Sequence, residues 1–188
     1  MESQVPVPPW IVESDTLLTK TRVFELRQHR ARSQLDPSLT GDFVYLRTPS
    51  WVNVVAITPE GALLFVKQYR HGSRSITLEI PGGMVDPGED YLTAGARELI
   101  EETGYAGDPA ILIGEGYPNP AIQDTRLGTV LILNARAVAP LDLDHHEELA
   151  VTRHLESALP GLVSSGQIDH ALVVAAFYHL TVWRQSQA

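Results

Sequence analysis

The segment spanning residues 83–105, GMVDPGEDYLTAGARELIEETGY, limits what this chain can fold into more than any other stretch. Pro87-Gly88 signals a turn. A helix is expected from about Asp90 to Thr103, with Asp90 or Thr93 capping its start and Gly104 ending it. Tyr91, Leu92, Gly95, Leu99 and Thr103 recur near helical spacing as the buried side. Residues three and four apart share a helix face, so Glu98, Glu101 and Glu102 converge. Three carboxylates on one face repel each other unless something cationic neutralises them. Hard oxygen donors gathered this way suit Mg²⁺ or Mn²⁺ rather than a zinc site, which would want His or Cys. The face therefore reads as a divalent-metal site.

This segment resembles the Nudix box, the signature of the Nudix hydrolases. Its fixed positions are met by Gly83, Glu89, Arg97, Glu98, Leu99, Glu101, Glu102, Gly104 and Tyr105. With ordinary residue usage, seven identical fixed residues would match by accident about once in 10⁸ to 10⁹ windows. The resemblance implies that Arg97 pairs with Glu89 or Glu101 and holds the loop against the helix. A guanidinium can do this bidentately where lysine could not.

At 188 residues with 44% hydrophobic content, the chain is long enough to bury a proper core, and a second independent domain is not expected. With no cysteine, thiolate chemistry and a disulfide framework are excluded, which is compatible with a reducing cytoplasm. The proline-rich start, MESQVPVPPW, lacks the pattern of a signal peptide, and no apolar run approaches the roughly 18 residues of a membrane helix. A net charge of −9, with no basic run, argues against a nucleic-acid partner. It leaves room for a phosphate-bearing small molecule, because a bound divalent ion inverts the local potential.

Along the chain, strands are expected at Thr21–Arg32, Asp42–Arg47, Val52–Thr58, Ala62–Arg70, Ile111–Tyr117, Thr129–Val138 and Leu149–Leu155. A short helix follows near Ser157–Ser165, and a longer one from Asp169, a plausible N-cap, to about Arg184. The fold class is α/β, and the resemblance implies a Nudix α/β/α sandwich with a mixed sheet. The resemblance also implies that residues 1–50 form a small N-terminal β region suited to dimerisation, and 51–188 the hydrolase domain.

Outside the box, Gln68-Tyr69-Arg70 and Glu79-Ile80-Pro81-Gly82-Gly83 resemble the ADP-ribose and nucleoside-diphosphate-sugar pyrophosphatase branch. By that resemblance Arg70 contacts a phosphate or the terminal sugar, Glu79 touches the metal site or substrate, and the Gly82 carbonyl joins Glu98, Glu101 and Glu102 as a metal ligand. The loop Gly116–Asp124 reads Asn-Pro-Ala-Ile-Gln-Asp where the branch usually has a Ser-Pro-Gly-like sequence followed by Thr and Glu. Nucleotide sugars other than ADP-ribose, such as GDP-mannose, therefore stay open. Asn119 and Gln123 are candidates for sugar hydroxyls, with turn chemistry an equal account of Asn119.

The run Asp142–Glu148 holds His145-His146 among acids. Adjacent side chains do not easily share an ion, so a dedicated His site is disfavoured. The resemblance offers a catalytic glutamate on a loop before the last strand, Glu147 first and Glu148 next. Trp10 and Trp51 are the candidate base-stacking platforms, and the resemblance implies that the N-terminal arm carrying Trp10 crosses to a second subunit of a homodimer. Trp51 and Trp183 read as core or interface.

The implied reaction is Mg²⁺-dependent hydrolysis of a nucleotide sugar's pyrophosphate to a nucleoside monophosphate and a sugar phosphate. Two or three ions would be held by the box, and Glu147 or a box acid such as Glu101 would accept the proton of the attacking water. Nucleoside triphosphate or dinucleoside polyphosphate hydrolysis, and a non-catalytic Nudix ligand sensor, are the alternatives. The expected location is the cytoplasm.

Overall fold

The computed structural model describes residues 7–143 and 148–187, which separate into two compact units. The first takes the chain through Pro49 together with Tyr117–Thr125. Its frame is an antiparallel sheet of β1 (Ile11–Lys20), β2 (Glu25–Arg32) and β3 (Thr40–Arg47), in that order. The expected strand Thr21–Arg32 is shorter in fact, because Thr21 to Phe24 form the turn. The Thr21 hydroxyl accepts from the backbone N–H of Val23 and Phe24, a local bond that competes with strand pairing. β1 has no counterpart among the expected strands. Its apolar residues sit in adjacent pairs, Ile11-Val12 and Leu17-Leu18, and the register slips beside both pairs, so no clean alternation survives.

Trp10 directly precedes β1 and rests edge-on against Phe43, with ring centroids 5.4 Å apart. Gln34 donates to the Pro9 carbonyl at 2.6 Å. These contacts hold Trp10 on its own unit, although 43% of it stays exposed.

The second unit comprises Ser50–Gly116 and the chain from Arg126 onward. Its strands are β4 (Trp51–Ala56), β5 (Ala62–Arg70), β6 (Ser75–Glu79), β7 (Gly82–Met84), β8 (Tyr105–Ala106), β9 (Ile111–Gly116), β10 (Leu127–Ile132), β11 (Arg136–Ala137) and β12 (Leu149–Leu155). The helices are α1 (Tyr91–Thr103), α2 (Leu159–Ser164), entered through a 3-10 turn at Glu156–Ala158, and α3 (Ala171–Gln187). One sheet runs β7-β4-β10-β9, with β4 and β10 parallel and the outer pairs antiparallel; a second, antiparallel, runs β12-β5-β6. The sheet is mixed, as the fold class requires.

Alternation along β4 and β5 builds the layers. Val52, Val54, Ala56 and Leu64 point into a core shared with Ala94 and Leu99 of α1. Val55, Leu63 and Phe65 point into another shared with Leu162 of α2 and Val173, Ala176, Phe177 and Leu180 of α3. Both faces are covered, which is why these strands read as near-continuous apolar runs. The result is the expected α/β/α sandwich. No helix of the described residues is long and apolar enough to cross a membrane.

Boundaries shift where local chemistry intervenes. Thr129–Val138 is two strands, because Asn134 adopts a left-handed backbone at φ 54° and its amide donates to Asp108. α3 starts two residues after Asp169, and the bond to its first turn is taken by His170, whose Nδ1 accepts from Leu172 N–H. On α1, Leu92 is exposed, whereas Ala94 and Glu102 join the buried side.

Candidate active site

The box helix is fixed at both ends by its own sequence. Asp90 accepts from Thr93 N–H at 2.8 Å, and those hydrogen bonds hold its carboxyl below the usual range. Gly104 ends the helix at φ 72°, a conformation that disfavours a side chain, and its N–H donates to Ile100.

Between these caps Arg97 gathers the acids. Its Nε donates to Glu89 Oε1 at 3.1 Å and one Nη to Glu89 Oε2 at 3.0 Å, a bidentate pair reaching back across the turn. The other Nη donates to Glu98 at 2.9 Å and Glu101 at 2.8 Å. A fifth bond runs to the Met84 carbonyl at 3.0 Å, tying β7 to the helix. Both partners expected for Arg97, Glu89 and Glu101, are engaged together. The Glu89 bonds, opposed by burial and helped by Glu101 and Glu98, raise the Arg97 pKa further; the same pairing depresses that of Glu89.

Glu102 points elsewhere. It is 4% exposed and accepts from Gly82 N–H at 2.9 Å. A side chain at Gly82 would collide with the Val52 backbone carbonyl, so only glycine lets β7 lie this close to β4, whereas one at Gly83 would displace the mobile Glu98 carboxylate. Glu98, Glu101 and Glu102 thus leave one stretch of helix but are shared out rather than pointed at a common centre. Among the described residues no three His, Cys, Asp or Glu side chains form a ready-made metal cage. The donor set nevertheless fits a hard cation: it is all oxygen, and three carboxylates against one guanidinium leave two formal negative charges at the Arg97 cluster. Rotation of Glu98 and Glu101 away from Arg97 is what binding would require.

Three residues upstream of Gly82 lies a second buried carboxylate. Glu79, 4% exposed, receives Arg70 as a fork at 2.7 and 2.8 Å and the Thr77 hydroxyl at 2.6 Å. Burial is the largest influence on its pKa and pushes upward. The bonds from Arg70 and Thr77, with the charge of Arg70, outweigh it and hold the carboxyl below its usual value. Thr77 and His170 escaped the sequence reading. Thr77 was findable as the residue two before Glu79, hence on the same strand face, had Ser75–Glu79 been recognised as a strand.

The Asn119 carbonyl accepts from Ile122 and Gln123 N–H, which is turn chemistry, and Gln123 pairs with Leu46. Both belong to the first unit, as does Trp10; Arg70, Glu79, Gly82 and the box belong to the second. Glu147 and the His145-His146 pair lie outside the described residues. The segment leading to them is anchored at the box, since Asp142 N–H donates to the Glu101 carbonyl at 3.0 Å.

Comparison with known proteins bears on this arrangement. The NUDIX domain model matches residues 47–164. An ADP-ribose pyrophosphatase of Bacillus subtilis is 32% identical over 148 residues, covering 76% of this chain and 78% of that protein. A methanol dehydrogenase activator of Bacillus methanolicus is 45% identical over 136 residues, covering 71% and 73%. The crystal structure of an ADP compounds hydrolase superposes with a TM-score of 0.85 over 98% of this chain and 99% of that one; at 19% identity this likeness concerns the fold alone. With an intact box, a matching domain and these relatives, the chain belongs to the Nudix family and is a Nudix hydrolase.

Proposed function

We propose that this protein hydrolyses the pyrophosphate bond of a nucleoside diphosphate sugar, ADP-ribose being the first candidate, to a nucleoside monophosphate and a sugar phosphate. The observation that carries the reading is the set of three box carboxylates around Arg97, with Glu102 on the Gly82 amide beside them. The pyrophosphatase relatives support the substrate class.

Glu98, Glu101, Glu102 and the Gly82 carbonyl would hold the divalent cation that Nudix hydrolases generally use, Mg²⁺ or Mn²⁺. When bound, that ion supplies charge stabilisation at the phosphoryl oxygens and makes a nearby water more acidic. The rest falls to the chain. Arg97 keeps Glu89, the 84–89 loop and α1 in register. Arg70, oriented by Glu79, binds a phosphate or the terminal sugar. A glutamate, Glu147 or Glu101, accepts the proton of the water attacking phosphorus. Trp10 stacks on the base, and Asn119 and Gln123 bind sugar hydroxyls.

We further propose a homodimer in the cytoplasm. Every residue of β1 is exposed, including Val12, Leu17 and Leu18, an apolar surface that a second copy would cover. A monomer by light scattering at micromolar concentration would reject the dimer, and cell fractionation checks the location. Deleting residues 1–12 should raise KM more than it lowers kcat if Trp10 contributes only uniform binding.

A Mg²⁺-dependent phosphate-release screen over ADP-ribose, GDP-mannose, other nucleotide sugars, nucleoside triphosphates and diadenosine polyphosphates tests the function. Turnover confined to the last two classes would reject it. The 45% identity to the methanol dehydrogenase activator favours a second reading, activation of a dehydrogenase. Adding the protein to an alcohol dehydrogenase and following its rate decides that one.

A further inference from the structure

The two oxygens of Glu79 are held unequally. Oε1 accepts from Arg70 Nε at 2.7 Å and Thr77 Oγ1 at 2.6 Å. Oε2 accepts from Arg70 Nη2 at 2.8 Å and lies 3.9 Å from His170 Nε2. His170 stands immediately before α3, and its Nδ1 accepts from Leu172 N–H at 3.2 Å. A backbone amide can only donate, so Nδ1 carries the lone pair and the neutral ring keeps its proton on Nε2, the nitrogen nearest Glu79. One imidazole therefore caps a helix with one edge and presents an N–H to a buried carboxylate with the other. Asn53 ties the same turn to β4 through its amide, which donates to the Leu172 carbonyl at 3.1 Å.

At 3.9 Å the His170 contact is electrostatic, and an approach of about 1 Å would make it a hydrogen bond. We propose that His170 is a positioning residue for substrate: by fixing the Glu79 carboxylate it sets the plane in which Arg70 meets a phosphate- or sugar-bearing ligand. The inference rests on the substrate-binding role proposed for Arg70. A bidentate pair is coplanar, so a tilt of the carboxylate is a tilt of the guanidinium. A His170 that served only α3 would affect stability and leave binding alone.

Two variants separate these jobs. Asn is among the best N-caps but too short to reach Glu79, so His170→Asn keeps the helix and loses the carboxylate contact. His170→Gln places an amide nitrogen about where Nε2 lies and caps more weakly. In ADP-ribose hydrolysis with Mg²⁺, His170→Asn is expected to raise KM about fivefold to tenfold with kcat within roughly twofold and Tm unchanged. His170→Gln should keep KM within roughly twofold of wild type despite a lower Tm. Wild-type KM in His170→Asn would overturn the inference, as would KM changes that merely track Tm in both variants.

Arg70→Ala is run beside them; if its KM is unchanged, the role of Arg70 fails and the inference fails with it. A readout independent of turnover is hydrogen exchange of the Arg70 Nε–H by ¹⁵N NMR. It should quicken at least about threefold in His170→Asn and not in His170→Gln. Equal protection in His170→Asn would sink the inference even where Arg70→Ala raises KM.

Discussion

Arg97 meets three carboxylates with one guanidinium, whereas Arg70 meets one carboxylate with a whole guanidinium edge. The first cluster is short of positive charge and spreads its donors across a turn, a helix and a strand. The second sets one guanidinium against one carboxylate, and the Thr77 hydroxyl adds a donor to that same carboxylate. This contrast decides which acids a metal ion can recruit. Glu98 and Glu101 share one nitrogen of a single guanidinium, a place a second cation could take, while Glu79 holds a whole edge of Arg70 that it could lose only at the cost of a buried charge.

The most damaging substitution is Glu102→Gln. The change is nearly isosteric and an amide oxygen can still accept from Gly82 N–H, so the fold should persist. kcat should fall at least about 100-fold, near 2.7 kcal/mol. Retention of more than about a tenth of wild-type kcat, under about 1.4 kcal/mol, would count against Glu102 as a ligand. Next in size is Arg97→Ala. Without divalent ion it leaves Glu89, Glu98 and Glu101 facing one another, and urea titration should show a loss of about 2 kcal/mol. A loss of the same size in excess Mg²⁺ would show that the cation does not replace the guanidinium.

Smaller still is the effect of the ion on the wild type. Mg²⁺ at tenfold its Kd should stabilise by about 1.4 kcal/mol, Mg²⁺ and substrate together should stabilise more than either alone, and EDTA should abolish activity without unfolding the chain. Unfolding on chelation would make the metal structural.

The smallest effect is in the acid limb of the Arg70–Glu79 pair. The folded pKa of Glu79 lies below its ordinary value of 4.5, so its stabilisation is fully present above about pH 4.5 and is lost as pH falls through the depressed folded value. The stability gap between wild type and Glu79→Gln should therefore narrow on acidification from pH 6 towards pH 3. A gap that widens would mean the carboxyl is protonated in the native state at neutral pH.

What the sequence made legible follows from how local each signal is. α1 could be read with its caps because helical spacing, Asp90 and Gly104 lie within one segment. The strands β4 and β5 could be read because both faces are buried. β1 could not, since it is exposed throughout and bulged, nor could the three-residue β7, whose glycines answer to neighbours in space. In the site, the pairing of Arg97 with acids four to eight residues away was within reach. The bond from Gly82 to Glu102 and the approach of His170 to Glu79 were not, because tertiary packing alone brings those segments together.

The sharing of Arg97 also governs how this site can vary. Each of Glu89, Glu98 and Glu101 sets the field felt by the other two through one guanidinium, so substitutions among these four positions will not add. Libraries that change them singly will report every position as intolerant. Only combinatorial libraries can reveal an alternative arrangement of the same charges, and the order in which changes accumulate will decide which intermediates still fold.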